Sequence, residues 1–254
     1  MPDLLEKIDV ILLCGGRGER LRPVIKDRSK VLAEVGGKAF LDIIIENLLQ
    51  YGLKRIILSV GYLKEQIISH FESHPNYKLE FSEEETPLGT GGAVKKAESL
   101  VKSSPFFVIN GDSICKVDLR NFIDFHREKK ALVSMVLTHS ETAQDYGNVT
   151  IDNSQRITGF SEKIAGGDDS LINAGAYLMQ RDIFSYMPDR QSFSLEYDFF
   201  PKIIEEKCYG FLSKNELIDI GTPERYEIAK QVLLKNFETI YSLGRKTSKC
   251  KKVF

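Results

Sequence analysis

The sequence lacks the features that mark metal-cluster proteins, polyanion-binding proteins and membrane proteins. Its four cysteines, Cys14, Cys115, Cys208 and Cys250, are scattered, with no C-x-x-C pair and no histidine at metal-ligand spacing, so we expect reduced thiols. Its 35 basic and 36 acidic residues leave a formal charge of −1, which predicts no nucleic-acid partner. No apolar stretch approaches the length of a membrane span, and the N-terminus carries acids where a signal peptide needs a basic start. We therefore expect a cytoplasmic protein that does not associate with membranes.

What the sequence does contain is an alternation of buried strands and amphipathic helices. Its 254 residues suffice for one α/β domain with a large core. The apolar runs IDVILLC at 8–14 and RIILSV at 55–60 predict strands buried on both faces. Helical spacing predicts a helix at 40–51, with Phe40, Ile44, Leu48 and Tyr51 on one face. This order favours a parallel sheet covered by helices, with ligands at the carboxyl ends of its strands.

Further elements are predicted along the rest of the chain. Strands are expected at 78–82, 106–109, 132–138 and 174–179, and helices at 63–71, 92–101, 119–129, 198–207 and 224–237. Short alternating segments at 146–152 and 156–162, with turn residues at 152–153 and 166–167, predict a small β-rich insertion that covers the site. The basic tail at 244–254 is predicted to be a solvated terminus.

A glycine-rich loop, GGRGERLR at 15–22, follows the first predicted strand. Glycine allows backbone N–H groups to approach a phosphate closely, and the arginines of the loop can neutralise its charge. A tight strand-to-helix turn explains the same glycines equally well. Two named phosphate motifs are excluded, because the P-loop pattern is absent and Leu21 stands where the dinucleotide fingerprint needs its third glycine.

Three charged residues stand where an α/β enzyme places its catalytic groups. Lys30 precedes the apolar step Val31-Leu32, which would hold its ammonium group near a phosphoryl group instead of in solvent. Asp112 follows the apolar run FFVING, at the place of a magnesium ligand, although a helix N-cap or a turn would also use an aspartate there. Asp219 stands in a similar context, LIDIGT. The two aspartates could bind one Mg²⁺, but their spacing alone does not bring them together.

Taken together and in order, these segments resemble the sugar-1-phosphate nucleotidyltransferases from Ile8 to about Leu234. The family's opening G-G-x-G-T-R-L-x-P stands here as GGRGERLRP, its P-K-x-L-x-x-V-x-x-K-P as SKVLAEVGGKA, and its base-binding P-L-G-T-[AG]-G-A as PLGTGGA at 87–93. Its downstream segments G-D, Y-G-x-V, E-K, N-A-G-x-Y and D-I-G-T-P are all present. Four positions depart from the pattern: Glu19 replaces a threonine, Ser29 and Ala39 replace prolines, and the E-K pair lacks its following proline.

The resemblance implies the nucleotide-diphospho-sugar transferase fold, an α/β fold with a Rossmann-like, mostly parallel mixed sheet flanked by helices. It also implies a role for each matching residue. The catalytic residues would be Lys30, Arg20 and Asp112, and Asp112 with Asp219 would hold Mg²⁺. The residues implied to bind the nucleotide are Leu13, Gly15, Gly16, Gly18, Arg20, Glu85, Gly89, Thr90 and Gly92. Those implied to bind the sugar phosphate are Gly111, Tyr146, Gly147, Glu162, Lys163 and Asn173.

The reaction that the resemblance implies is in-line attack of a sugar 1-phosphate oxygen on the α-phosphorus of an NTP, with release of pyrophosphate. An anionic phosphate oxygen needs no protein base, so positioning and charge neutralisation carry the catalysis. One nucleotidyltransferase domain is expected over 1–254, with a nucleotide-binding part at about 8–118 and a sugar-binding part at about 119–235. A homo-oligomer is left open.

Within the family, the compact length, GGAVKKA in and after the base-binding segment and the late Phe193-Ser194 look most like the D-glycero-α-D-manno-heptose 1-phosphate guanylyltransferases. GTP is therefore the expected donor. Mannose 1-phosphate guanylyl transfer is the alternative, and uridylyl or thymidylyl transfer stays open because base choice depends on loop geometry. A hypothesis of another class is a catalytically silent nucleotide-sugar sensor, against which the retention of Lys30, Asp112 and Asp219 argues.

Overall fold

The computed structural model describes residues 4–72, 78–139, 147–161 and 170–235. The first half contains, in chain order, β1 (Asp9–Leu13), α1 (Arg22–Ile25), β2 (Glu34–Val35), β3 (Lys38–Ala39), α2 (Phe40–Gln50), β4 (Arg55–Val60), α3 (Lys64–Glu72), β5 (Leu79–Glu83), α4 (Gly89–Lys96) and β6 (Phe106–Asn110). The second half contains β7 (Ser113–Cys115), α5 (Leu119–Glu128), β8 (Val133–His139), β9 (Asn148–Ile151), β10 (Ile157–Ser161), β11 (Leu171–Met179), β12 (Cys208–Leu212), β13 (Leu217–Asp219) and α6 (223–235).

One large mixed sheet organises these elements. Its parallel half has the strand order β6-β1-β4-β5, which confirms the predicted parallel arrangement. On the other side of β6, strand β11 runs antiparallel to it and also pairs with β8 and β9, and β9 pairs with β10. The fold is therefore the expected mostly parallel mixed sheet, extended by antiparallel pairing through β11 and by β12, which runs parallel to β8. The carboxyl ends of β1, β4, β5 and β6 lie at one edge of the parallel half, where ligands of such sheets bind.

Alternate residues of the parallel strands enter two separate hydrophobic cores. Val10 and Leu12 of β1 belong to a core that includes the buried face of α2, whereas Ile11 faces a second core that includes Val94 of α4. All three β1 side chains are fully buried. Burying such a side chain stabilises a fold by about 1.5–3 kcal/mol, so a strand buried on both faces anchors the sheet strongly. This rigid base holds the loops at its carboxyl edge in place.

The predicted helix at 198–207 is wrong. The chain instead forms a single π-helical turn at Leu195–Phe199 and a 3-10 turn at Phe200–Lys202, and then irregular backbone. The first turn begins earlier than predicted because the Ser194 side chain accepts hydrogen bonds from the N–H groups of Glu196 and Tyr197. Pro201 has no N–H to donate and clashes with a regular preceding turn, which prevents a longer helix.

Helix α4 also differs from its prediction, because it begins at Gly89 and not at Gly92. The N–H groups of Gly91 and Gly92 donate to the Phe193 carbonyl (2.9 and 3.2 Å), a contact that sequence spacing does not reveal. Among the described residues, no helix is long and apolar enough to cross a membrane. The turn predicted at 166–167 and the basic tail at 244–254 lie outside the described residues.

Candidate active site

A cavity of about 300 Å³ opens at the carboxyl edge of the parallel strands. Its size is at the lower end of the range of small-molecule sites. Its walls come from the ends of β1 and β6, the glycine loop, the Lys30 turn and the start of α4. The lining residues are Leu13, Cys14, Gly15, Gly16, Arg17, Lys30, Val31, Glu84, Pro87, Gly89, Thr90, Ala93, Asn110 and Asp112.

The glycine loop forms one wall, and its glycines have different roles. A Cβ atom on Gly16 would meet no atom within 4 Å, so its backbone is open to a ligand in the cavity. Gly18 has a φ of +60°, and a Cβ atom there would lie 2.8 Å from Cβ of Lys30. Gly18 therefore serves the turn and the packing of Lys30, while Gly16 is free to approach a phosphate.

Lys30 and Asp112, 82 residues apart in sequence, form an ion pair on the cavity wall. The Lys30 Nζ atom lies 2.5 Å from Oδ2 of Asp112. The Lys30 side chain is 12% exposed and the Asp112 side chain 37% exposed, so the carboxylate retains access to the cavity. The local fold explains the lysine's position, because Lys30 begins a 3-10 turn whose next two residues, Val31 and Leu32, are buried.

The second aspartate, Asp219, lies beside Asp112 in the fold. Strand β13 pairs with β7 so that Asp219 is opposite Ser113, and the N–H of Ile220 donates to the Asp112 carbonyl at 3.1 Å. The Oδ1 atom of Asp219 accepts hydrogen bonds from the Gly221 N–H (2.7 Å) and from the Arg225 guanidinium (3.4 Å). The topology thus brings both strand-end aspartates to one edge of the sheet.

Two arginines of the glycine loop, Arg17 and Arg20, lie near this edge of the sheet. A Cβ atom on Gly221 would lie 2.6 Å from Oδ1 of Asp219 and 3.7 Å from Nη2 of Arg20, so Arg20 reaches the Asp219 turn. Arg17 lines the cavity, and Glu19, the unusual acid of the glycine loop, lies 3.8 Å from it with both side chains largely exposed. Because Glu19 points to Arg17 and is outside the cavity lining, its charge does not occupy the pocket.

The glutamate on the cavity wall is Glu84, and not Glu85. Glu85 is 83% exposed and pairs with Lys64 (2.9 Å), which lowers the pKa of its carboxyl group. The neighbouring Glu84 is 8% exposed, lines the cavity, and accepts hydrogen bonds from the Leu88 N–H (3.2 Å) and the Ser59 hydroxyl (3.4 Å). Burial raises the pKa of the Glu84 carboxyl group. Because residues 83–85 are all glutamates, the sequence alone does not indicate which of them faces the cavity.

The segment after Glu84 enters α4 at the cavity. Gly89 has a φ of +70° and approaches the Phe193 carbonyl so closely that a Cβ atom would lie 2.6 Å from its oxygen. Gly89 and Thr90 line the cavity, as the resemblance implies for nucleotide-binding residues. Gly92 does not line the cavity. It packs against the backbone of Gln191, because a Cβ atom on Gly92 would lie 2.2 Å from the Gln191 carbonyl oxygen.

The implied sugar-phosphate residues are described only in part. Gly111 packs against β1, where its added Cβ would lie 2.8 Å from Sγ of Cys14, so it lets β6 turn towards Asp112. Asn173 and Gly147 are adjacent, since the Asn173 N–H donates to the Gly147 carbonyl at 3.2 Å. The remaining three residues, Tyr146, Glu162 and Lys163, lie outside the described residues.

The Cys14 thiol on the cavity wall is not suited to act as a nucleophile. Cys14 lines the cavity beside Asp112, but burial, together with the negative charge of Asp112, raises the pKa of its thiol strongly. A thiol held in the protonated form is a poor nucleophile, because the thiolate is the reactive species. The cavity therefore offers cations, carboxylates and open backbone, which suit charge neutralisation at phosphates and not covalent catalysis by cysteine.

Comparison with known proteins agrees with this arrangement. The family model described as nucleotidyl transferase matches residues 9–236. The D-glycero-alpha-D-manno-heptose 1-phosphate guanylyltransferase of Aneurinibacillus thermoaerophilus is 36% identical over 228 residues, which cover 89% of this chain and 98% of that protein. The mannose-1-phosphate guanylyltransferase of Mycobacterium tuberculosis is 30% identical over 225 residues, which cover 87% of this chain and 63% of that protein.

A solved structure has the same fold. HddC from Yersinia pseudotuberculosis is 34% identical and matches with a TM-score of 0.79, over 89% of this chain and 99% of that chain. The same protein has been crystallised in a complex with GMP-PN. The predicted family is confirmed by the family model and by relatives above 30% identity that align along most of this chain. The chain belongs to the nucleotidyl transferase family.

Proposed function

We propose that the chain transfers GMP from GTP to D-glycero-α-D-manno-heptose 1-phosphate, with release of pyrophosphate. The observation that carries this proposal is the Lys30–Asp112 pair on the wall of a cavity that also contains the open backbone of Gly16. Such a site can hold a triphosphate and neutralise charge at the phosphorus under attack. The names of the relatives support the heptose substrate and the guanylyl donor.

The chain's own residues act by positioning and electrostatics. An oxygen of the sugar phosphate attacks the α-phosphorus in line, the new O–P bond forms, and the bond to the bridging oxygen breaks as its electron pair leaves with pyrophosphate. Lys30, held by buried neighbours, stabilises negative charge on the transferring phosphoryl group. Arg17 and Arg20 neutralise the departing pyrophosphate at the mouth of the loop. No protein base is required, because the attacking oxygen is already anionic.

We assign Mg²⁺ to Asp112 and Asp219. Carboxylate oxygens are the ligands that Mg²⁺ prefers, and Asp112 has an accessible side chain on the cavity wall. Asp219 lies beside it on the β7–β13 pair, and its Oδ1 atom is held by the Gly221 N–H and the Arg225 guanidinium. A Mg²⁺ ion held by these two carboxylates would neutralise charge on the triphosphate and help to orient it.

Glu84 supports guanine as the base. Guanine presents two adjacent donors, N1–H and N2–H, which one carboxylate can accept together. Adenine and cytosine present an acceptor nitrogen at the corresponding place, and uracil presents a single N–H between two carbonyls, so a buried carboxylate disfavours all three. Glu84 is buried at the end of β5 and lines the cavity, which places such an acceptor beside the loop that precedes α4.

We further propose that the chain acts in the cytoplasm as one domain, with the nucleotide bound by 8–118 and the sugar phosphate by 119–235. The free thiols at Cys14, Cys115 and Cys208 support a reducing compartment. Shared strand pairing between β6 and β11 supports a single folding unit, because both parts contribute to one sheet. The sugar-phosphate roles of Gly111, Gly147 and Asn173, and those of Tyr146, Glu162 and Lys163, belong to this proposal as well.

A pyrophosphate-release assay tests the proposal. The protein is incubated with Mg²⁺, each of the four common NTPs, and a panel of sugar 1-phosphates that includes the heptose and mannose compounds. We expect release with GTP and the heptose phosphate above all other combinations. Higher turnover with mannose 1-phosphate would favour the alternative that the mycobacterial relative represents. Nucleotide binding without turnover for any sugar would support the sensor hypothesis and refute the proposed reaction.

A further inference from the structure

A chain of hydrogen bonds behind the cavity connects the nucleotide side to the sugar-phosphate side. Thr90 Oγ1 donates to Oε2 of Glu196 at 2.6 Å, and the Tyr177 hydroxyl donates to Oε1 of the same carboxylate at 3.1 Å. Asn173 Nδ2 then donates to the Tyr177 hydroxyl at 2.8 Å. The chain therefore runs from Thr90, which lines the cavity, through Glu196 and Tyr177 to Asn173, and neither middle residue is itself in the cavity lining.

The donors and acceptors along this chain are consistent with one another. The Thr90 hydroxyl accepts from the Leu195 N–H (2.8 Å) and donates to Oε2 of Glu196, which also accepts from the Ser194 hydroxyl at 2.7 Å. Burial raises the pKa of Tyr177 well above its ordinary value, and the charge of Glu196 raises it further, so the phenol stays a donor. With its proton given to Glu196, the Tyr177 oxygen accepts from Asn173. The Glu196 carboxylate thus orients the hydroxyl of Thr90 and the amide of Asn173 together.

The Asn173 end is tied to the backbone of a bulge in β11. The pairing of β11 with β8 shifts register between Asn173 and Tyr177. Within the bulge, the Gly175 N–H donates to Oδ1 of Asn173 at 2.9 Å, and Gly175 has a φ of +70°. A Cβ atom on Gly175 would lie 2.4 Å from Nδ2 of Asn110, a cavity-lining residue. The Gly175 backbone therefore lies between the Asn173 amide and a second wall of the cavity.

We propose that Glu196 and Tyr177 are positioning residues that couple the nucleotide site to the sugar-phosphate site. The inference rests on the proposed function, which places a nucleotide at Thr90 and a sugar phosphate at Asn173. Occupation of one site fixes its end of the hydrogen-bond chain. Binding of the second ligand at the other end then costs less conformational entropy, because the chain is already ordered. Coupling of this kind is reciprocal, so each ligand increases the affinity of the other by the same factor.

Tyr177→Phe tests the coupling with little change in packing. The phenylalanine ring keeps the contact with Phe200, whose centroid lies 5.1 Å away, and only the hydroxyl link between Glu196 and Asn173 is lost. Thr90 keeps its bond to Glu196. Tyr186→Phe is the matched control, because Tyr186 is 45% exposed and outside the cavity lining. A second variant, Glu196→Gln, removes the charge that orients both ends.

The measurement is calorimetric titration with a GTP analogue whose α,β-bridging oxygen is a methylene group, with and without saturating heptose 1-phosphate. For the wild type and Tyr186→Phe we expect the sugar phosphate to lower the Kd of the analogue by a factor of about 5 or more. For Tyr177→Phe we expect a factor of about 1, with the Kd for the analogue alone within about twofold of wild type. Glu196→Gln should lose the coupling. It should also weaken binding of the analogue alone, because the Thr90 hydroxyl loses its hydrogen bond to a charged carboxylate.

The outcomes separate this inference from the proposed reaction. A wild type that turns over GTP and heptose 1-phosphate but shows no coupling, or a Tyr177→Phe variant with wild-type coupling, overturns the role of the chain and leaves the reaction intact. A wild type without turnover for any NTP and sugar phosphate overturns the reaction, and the inference falls with it. Loss of coupling in Tyr177→Phe, with turnover present in the wild type, supports both.

Discussion

Two glycines of the loop at 15–22 distinguish a phosphate-binding loop from a simple turn. Gly16 and Gly18 are two residues apart, yet a methyl group has different consequences at each. At Gly16, which lines the cavity, it would meet no atom within 4 Å. At Gly18, where φ is +60°, it would lie 2.8 Å from Cβ of Lys30. Gly16→Ala therefore tests ligand approach, and Gly18→Ala tests the turn.

The expected magnitudes follow from this geometry. Gly16→Ala should leave the free energy of unfolding unchanged or raise it by up to about 1 kcal/mol, because alanine restricts the unfolded chain. The same methyl group keeps phosphate oxygens from the backbone, and we expect the KM for GTP to rise at least about tenfold, or about 1.4 kcal/mol. Gly18→Ala should lose about 2 kcal/mol of stability, because alanine is strained in the left-handed region and the Lys30 stem must move.

Urea unfolding and steady-state kinetics of the two variants measure these effects in parallel. We expect a stable Gly16→Ala protein with weak GTP binding, and a destabilised Gly18→Ala protein with reduced kcat because Lys30 is displaced. Wild-type kinetics for Gly16→Ala would refute the phosphate role of the loop. In that case the glycines at 15, 16 and 18 would serve only the strand-to-helix turn.

Two further predictions concern Glu84 and His126. Glu84→Gln should lower kcat/KM for GTP by about 100-fold, since hydrogen bonds to a charged group contribute about 3 kcal/mol, and should reduce the preference for GTP over UTP in a pyrophosphate-release assay. His126 is fully buried between Ser134 and Gln180, and burial lowers the pKa of its imidazole from 6.5 to about 4. Its contribution to stability is complete above pH 6.5 and is lost as the pH falls towards 4, by about 2.5 kcal/mol at pH 4.5 in urea unfolding.

Each of these predictions has a matched variant. Glu85→Gln changes the adjacent exposed glutamate, and it should retain the preference for GTP that Glu84→Gln loses. An equal loss of preference in both variants would contradict the assignment of the base to Glu84. For the pH effect, His126→Gln removes the titrating group, so its stability should fall less than that of wild type between pH 7 and pH 4.5. Identical pH profiles would show that another group dominates the acid response.

The strands and the cavity-facing loops follow from local sequence patterns. The strand at Arg55–Val60 has the predicted bounds, because an apolar run that is buried on both faces has few alternatives. The helix predicted at 40–51 is observed at Phe40–Gln50, since its apolar residues recur at helical spacing. The glycine loop and Asp112 line one cavity with Lys30, because the parallel strands β1 and β6 end at the same edge of the sheet.

Other features depend on contacts between distant segments and are absent from any local pattern. Glu84 faces the cavity because the β5 ladder continues one residue further, with its N–H donating to the Val60 carbonyl at 2.8 Å. Glu196 is 106 residues from Thr90 in sequence, and it lies in the π-helical turn at Leu195–Phe199, whereas the sequence pattern predicts an ordinary helix at 198–207. Helix α4 begins at Gly89 because the Phe193 carbonyl caps it from outside. In each case tertiary contact, not propensity, decides the structure.

The most direct test of the proposed reaction is turnover and stability measured together for Asp112→Asn. Asparagine keeps an oxygen that can accept from Lys30 but removes the negative charge that the site offers to a cation. Pyrophosphate release from GTP and heptose 1-phosphate should fall at least about 1,000-fold, or about 4 kcal/mol in transition-state stabilisation. The free energy of unfolding should change by less than about 1 kcal/mol, because the Asp112 side chain is 37% exposed. Near-normal turnover in a folded Asp112→Asn protein would contradict the placement of the reaction at this site.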